Sequence, residues 1–295
     1  MKNLSYNIVV LLLLMLPVVF MSCNNNNAPS QRVVSVTILP QQYFAEQIAG
    51  ERFTVNCVVP ANASPETYDP SPQQVVDIAR SEAYMCVGEL GFEKAWLRKL
   101  AYNNPEMKIF DTSRGVKLME SEHTHSHSNG SIHSTSGVDP HIWCSPANAQ
   151  IMAYNMYKAF VELDAEGEAY YRANYDALVQ RIDSVQNVVT ELLRNARGDA
   201  FAIYHPSLSY LARDYGLEQI CLENMGKESS ALEMKNVVNR AVDAQVKVVF
   251  IQREFNTKQA ETFAQEIDAE MVTINPLNYD WVNEMLHIAY ALAQH

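Results

Sequence analysis

Five of the eight histidines in this 295-residue chain fall between positions 123 and 143. The stretch reads His-Thr-His-Ser-His-Ser-Asn-Gly-Ser-Ile-His-Ser-Thr-Ser-Gly-Val-Asp-Pro-His-Ile-Trp. His123, His125, His127 and His133 lie in a Ser/Thr/Gly/Asn tract with too little apolar surface to offset the entropy of ordering. At Asp139-Pro140-His141-Ile142-Trp143 the composition turns apolar, a junction of the kind that sets one side chain at the mouth of a folded body. Imidazole is the side chain most often used for borderline divalent ions, zinc above all. The stretch therefore reads as a metal-collecting loop beside a fixed ligand, His141. A His-rich surface linker would share the tract's composition.

A fixed ligand needs partners, and the partners need a scaffold. Short β-branched runs occur at 33–38, 53–59, 83–88 and 108–110, with helical patterns at 41–48 and 72–79 between them. A second set follows at 201–204, 219–222, 246–251 and 271–274, with helical patterns near 207–215, 229–244 and 257–269. Strand-helix alternation predicts parallel sheets covered on both faces. Two such sets predict an α/β protein of two lobes, each with a sheet of about four strands. Between the sets, Tyr171, Tyr175, Leu178, Ile182, Val185, Val189 and Leu192 recur at alternating spacings of four and three, the stripe of an amphipathic helix. Glycine and proline are absent from 168–197, and Gly198 is expected to stop the helix. At 1.5 Å per residue the stripe is about 32 Å long, the span of a small domain. The expected plan is an N-terminal lobe at 33–163 carrying a His-rich loop at 122–136, a linker helix at 164–197, and a C-terminal lobe at 198–295.

In open parallel sheets, ligands bind beyond the carboxyl ends of the strands. Metal-capable residues at those places are Glu66, in the segment Ala63-Ser64-Pro65-Glu66-Thr67-Tyr68-Asp69-Pro70, then His141, His205, Asn275 and Asp280. Each also has a plainer reading. A histidine after a strand is often a hydrogen-bonded rim residue. Glu66 suits the N-terminal end of the next helix, and Asn275 suits a turn before Pro276. Glu254 follows the 246–251 run, where a carboxylate either orients a ligand by hydrogen bonding or stays on the surface. Cys57, Cys86, Cys144 and Cys221 have no metal-motif spacing. Cys57 and Cys86 fall in two strands of one sheet and read as small buried hydrophobes; Cys144, three residues past His141, reads as a packing residue, with a role near the metal as the alternative.

The first 23 residues are not part of this scaffold. Lys2 precedes an apolar run at 8–20, broken only by Pro17 and too short to anchor stably across a bilayer. Ser22-Cys23 and four asparagines end it. This architecture resembles a bacterial lipoprotein signal. Cys23 would become the lipidated N-terminus, 24–32 a tether, and the body would work in the periplasm or on the outer face of the membrane. Ordinary secretion, with Cys23 a stray thiol, is the alternative. A net charge of −12 argues against a nucleic-acid partner and against an electrostatic footprint on anionic lipid.

Several local pieces then point one way: Ile48-Ala49-Gly50, Ser64-Pro65 through Pro70, Asp139-Pro140-His141-Ile142-Trp143 followed by Ser145-Pro146, and His205 ahead of Tyr210-Leu211-Ala212-Arg213-Asp214-Tyr215-Gly216-Leu217. On these, nearly all of the chain after residue 32 resembles the metal-binding solute receptors of ABC uptake transporters, the zinc and manganese lipoproteins with a rigid linker helix. The His-rich loop is typical of the zinc branch. The resemblance implies two lobes joined by one long helix, with a metal cleft between them. It also implies capture of Zn²⁺ by a monomer that is not an enzyme, and delivery to an ABC permease; Mn²⁺ or Fe²⁺ is the alternative ion. Carried over residue by residue, the site is Glu66, His141 and His205, completed by Asn275, Asp280 or water. The chain departs from the family at two places. Glu66 stands where a histidine is usual, and Asn275 where an aspartate is usual. Two histidines and a carboxylate make a good zinc set, and the same set suits Mn or Fe when positions stay open. They would also suit a metal-dependent hydrolase, although no HExxH helix is present. An adhesin or metal-buffering lipoprotein would use the same site.

Overall fold

The computed structural model describes residues 32–120, 124–126, 132–134, 137–223, 229–253, 255 and 258–294, with backbone alone at 124–126 and 132–134. Four short apolar runs form strands β1 (Val33–Val36), β2 (Thr54–Cys57), β3 (Ala83–Cys86) and β4 (Lys108–Asp111), which pair in parallel in the order β2-β1-β3-β4. Strands β5 (Thr124–Ser126) and β6 (Ile132–Ser134) make a separate antiparallel pair with His125 opposite His133. The second parallel sheet contains β7 (Ala200–Ile203), β8 (Glu218–Cys221), β9 (Val248–Gln252) and β10 (Glu270–Ile274), in the order β10-β9-β7-β8.

The two four-stranded sheets repeat one design. Val36 is in register with Cys57 on one side and Met85 on the other; Ile203 is in register with Cys221 and Phe250 in the same way. Beyond the strands, Val58 and Val59 donate backbone N–H groups to Val36 and Thr37, as Leu222 and Glu223 do to Ile203 and Tyr204. The thiols of Cys57 and Cys221 donate to the matching carbonyls of Thr37 and Tyr204. Burial pushes both thiols up to about 12, so they serve as neutral donors. All four cysteines from Cys57 onward are free.

The helices are α1 (Leu39–Ala49), α2 (Pro72–Ala79), α3 (Gly91–Asn103), α4 (Pro146–Leu163), α5 (Glu168–Leu193), α6 (Ser209–Tyr215), α7 (Ala231–Asp243), α8 (Lys258–Glu266) and α9 (Trp281–Ala293). Local chemistry sets several starts. Ser71 with Gln74, and Ser230 with Glu233, form capping boxes at α2 and α7, and Ser145 caps α4. Three helices, α3, α4 and α9, lie outside the periodic patterns named above. In α4 the buried face is largely alanine and methionine, which gives little contrast along the sequence.

Helix α5 is shorter than the glycine-free stretch suggests: it ends at Leu193, not beside Gly198. Gly198, at φ +95°, instead directs the chain into β7, and its N–H reaches the carbonyl of Gly216. The buried stripe is Tyr171, Leu178, Ile182, Val185, Val189 and Leu193, with Tyr175 and Leu192 only partly covered. It packs against α1, α4 and α9. One continuous apolar core therefore runs from β1 and α1 through α5 to α9, and each lobe keeps a smaller cluster on its far side. Among the described residues no helix is long and apolar enough to cross a membrane.

Candidate metal centre

His205 sits two residues beyond β7, and its backbone is clamped by Gln252 at the end of β9. The Gln252 Nε2 donates to the His205 carbonyl at 2.6 Å, and its Oε1 accepts the His205 N–H at 3.3 Å. Because Ile203 is in register with Cys221, the residues two further on, His205 and Glu223, also lie side by side. The His205 Nδ1 is 2.6 Å from Glu223 Oε1. His141 is held by its own motif. Asp139 Oδ1 accepts the His141 backbone N–H at 2.9 Å and stands 2.8 Å from its Nδ1, an Asx-type turn that fixes main chain and ring together. Tyr210 donates its hydroxyl to the Asp139 carbonyl at 2.7 Å, tying this loop to α6.

Glu66 lies on the loop after β2, and that loop is docked on the start of α3. The Phe92 N–H reaches the Pro65 carbonyl at 3.0 Å. The Glu66 carbonyl comes so close to Gly91 that a Cβ there would sit 2.1 Å from the oxygen. The turn before α3 is locked by Glu93, a buried carboxylate that accepts the N–H groups of Val87 and Gly88 and the hydroxyl of Thr37. Burial, against those hydrogen bonds, raises Glu93 to about 7.

These three elements bring three donor atoms together. His205 Nε2 is 3.2 Å from His141 Nε2, and Glu66 Oε1 is 3.4 Å from the first and 3.6 Å from the second. Among the described residues, Glu66, His141 and His205 are the group of His, Cys, Asp and Glu side chains whose donor atoms are close enough to share one ion. With both Nδ1 atoms assigned as donors to carboxylates, both Nε2 lone pairs aim at one point. Two such lone pairs face to face require a proton or a cation between them. For bonds of about 2.0–2.1 Å, tetrahedral zinc separates its ligand atoms by about 3.3–3.4 Å, while octahedral geometry at that length closes neighbouring ligands to about 3 Å. The observed edges of 3.2–3.6 Å are of the size one shared ion requires.

Electrostatics favour a cation here. Burial disfavours the His205 imidazolium, yet its contacts with Glu223 and Glu66 outweigh that and raise it to about 10. Burial likewise opposes ionisation of Glu66 and Asp139, but the neighbouring imidazoles hold both below the ordinary carboxylate range. Aromatic rings fix the imidazole faces: Phe255 stacks on His205 at 5.0 Å, and Trp143 lies 5.2 Å from His141. The cavity, about 10 Å³, is lined by these groups with Ser64, Pro65, Ser207, Pro276 and Leu277.

Two other candidates stay outside it. Asp280 caps α9 instead, accepting from the backbone and side chain of Asn283 at 3.3 and 2.6 Å, so its carboxylate is committed to the helix start. Asn275 does not line the cavity; its N–H is bound by Glu284 at 2.7 Å, while Pro276 and Leu277 face the site. Glu254, His123, His127 and Cys23 lie outside the described residues, as do the side chains of His125 and His133. Glu223 was not among the sequence candidates, although the strand-end rule applied to β8 leads directly to it.

The profile of a family described as zinc-uptake complex component A, periplasmic (ZnuA), matches residues 34–294. The chain belongs to the ZnuA family. It is thus a zinc- or manganese-type solute-binding protein of ABC uptake systems, as its motifs imply. It is 26% identical to the high-affinity zinc uptake system protein ZnuA of Bacillus subtilis, over 83% of this chain and 78% of that protein. It is 23% identical to the zinc-binding lipoprotein AdcA of Streptococcus pneumoniae over 94% of this chain, and spans only 56% of that longer relative. Among solved structures, a crystal structure of ZnuA superposes with a TM-score of 0.81 at 35% identity, covering 90% of this chain and 98% of the other. A zinc-bound ZnuA deletion mutant superposes at 0.80 with 34% identity, covering 89% and 97%. The ZnuA-family fold accounts for the two lobes and for a cleft between them.

Proposed function

We propose that this chain captures Zn²⁺ outside the cytoplasmic membrane through Glu66, His141 and His205, and delivers it to an ABC permease. The observation that carries the reading is the donor triangle of 3.2, 3.4 and 3.6 Å with a carboxylate behind each imidazole. Glu66 takes the place of the family's usual histidine, and water completes the tetrahedron. A cavity of about 10 Å³ has room for about one water-sized particle, but not for an organic substrate, which supports capture over hydrolysis. The family and the lipoprotein relative support an extracytoplasmic, membrane-associated body. In this reading Cys23 carries the lipid, the chain acts as a monomer, and the loop histidines His123, His125, His127 and His133 supply weaker, auxiliary sites.

The test is metal stoichiometry by elemental analysis, with Zn²⁺ set against Mn²⁺. The unsubstituted protein should retain one tight Zn²⁺ that Mn²⁺ does not displace. His141→Ala or His205→Ala should remove that ion, whereas deletion of 122–136 should remove only weak extra ones. A tight site that survives His141→Ala and is lost with the loop would sink the assignment.

A further inference from the structure

The lining of the cavity is of two kinds. Three charged or imidazole donors converge on one side. Facing them are Pro65, Trp143, Phe255, Pro276 and Leu277. The polar atoms in that lining each accept one hydrogen bond from the protein. The Pro276 carbonyl accepts the Trp143 indole N–H at 2.8 Å, Ser207 Oγ accepts from Gln252 at 2.9 Å, and Ser64 Oγ accepts the Glu66 N–H at 3.3 Å. A cavity of about 10 Å³ beside the donors has room for roughly one water. An ion held there by the three side chains leaves little enclosed space beside it, so further ligands would have to enter from the exposed Glu66 side or displace the wall.

That limit separates metals by the number of ligands they require. Zinc is stable with four. Manganese and other hard divalent ions favour six, usually oxygen or water. We propose that the apolar wall, with Phe255 as its removable element, sets the metal selectivity of this site by denying the ion its fifth and sixth ligands. Phe255 is the natural candidate. Leu277 and Trp143 are buried in the core, whereas Phe255 is only partly buried, with its ring stacked on His205 and tilted against Tyr204. The departure at 66 fits the same logic. The carboxylate at 66 makes the ligand set one that hard ions would also accept, so part of the discrimination falls to the wall. This inference rests on the capture reading above and names the specificity-determining residue of that site.

Co²⁺ provides the probe, because its visible absorption is intense when four-coordinate and weak when six-coordinate. The purified protein should take up one Co²⁺ with an intense four-coordinate band. Phe255→Ala should keep that stoichiometry, lose the band's intensity several-fold, and narrow the Zn²⁺-over-Mn²⁺ preference at least tenfold, chiefly by gaining Mn²⁺ affinity. Phe255→Leu, which refills most of the volume, should return both readouts toward the starting values. Unchanged coordination and preference in Phe255→Ala would overturn the proposal. An equal loss of both metals would also overturn it, and would make Phe255 a mere support for the His205 ring. Absence of Co²⁺ uptake by the unsubstituted protein would overturn the metal site itself, a result distinct from either.

Discussion

Each imidazole of the triangle uses its two nitrogens differently: one is spent on a carboxylate, and in the proposed site the other is left for the ion. The cost of that arrangement without metal shows at His205. Its ordinary value is 6.5, and Glu223 and Glu66, overcoming burial, raise it to about 10. The bound proton therefore stabilises the metal-free protein fully below about 6.5, and that contribution is lost as the pH climbs toward 10. Metal binding has the opposite sign, because Zn²⁺ must displace the proton. Displacing one proton weakens apparent affinity about tenfold for each pH unit below the raised value. Chelator competition between pH 6 and 8 should thus give a log-affinity slope of at least one. A flat profile would show that His205 does not exchange a proton for the ion. Glu223→Gln keeps the shape but removes the charge. It should weaken zinc binding by about 10–100-fold and flatten the upper part of the pH profile, since the imidazolium is no longer held so far up.

At the scale of elements, the proposed ligand on the loop, Glu66, depends on a helix it does not belong to. Gly91 opens α3 at an ordinary helical position, and a Cβ there would meet the Glu66 carbonyl at 2.1 Å, a contact with backbone. Alanine is the better helix former by about 1 kcal/mol, so Gly91→Ala should leave the helix content intact. It should displace the Glu66 loop and reduce zinc affinity at least tenfold by titration calorimetry. Undiminished affinity with normal folding would mean that Glu66 is not a ligand, or that its loop relocates freely. This dependence also marks the limit of what the sequence discloses. The eight sheet strands are legible because strands of buried parallel sheets read as continuous apolar runs, and the strand-end rule then points to Glu66 and His205. His141 announces itself through a compact motif. Glu223 does not, because its role arises from the lateral pairing of β7 with β8, a relation between strands that no local pattern carries. Asp280 shows the converse: it lies past a strand end as a ligand would, and in the structure it caps the helix that follows.

For the whole molecule, the question is how far the lobes can move. Two indole hydrogen bonds cross next to the site: Trp143 Nε1 to the Pro276 carbonyl at 2.8 Å, and Trp281 Nε1 to the Trp143 carbonyl at 2.7 Å. Trp281 also packs its ring 5.2 Å from Phe44 of α1, and the apolar core continues through α5 without a break. A hinge of freely rotating lobes would have to open that core. The same continuity predicts cooperativity. Although chains well above 150 residues often unfold in stages, residues 32–295 should melt in one calorimetric transition. Zinc should shift that transition upward by mass action, adding about 2.7 kcal/mol when free zinc is a hundred times its dissociation constant. Trp281→Phe removes one donor and leaves the buried Trp143 carbonyl short of a partner, a loss of about 1–3 kcal/mol. It should lower the single transition without splitting it. Two separate transitions in the unsubstituted protein, with only one responding to zinc, would show that the lobes are energetically independent. Release would then proceed by lobe separation. If the melt stays single, release has to begin locally, and Glu66, with 35% of its side chain exposed against 7% and 11% for His141 and His205, is the proposed ligand placed to let go first.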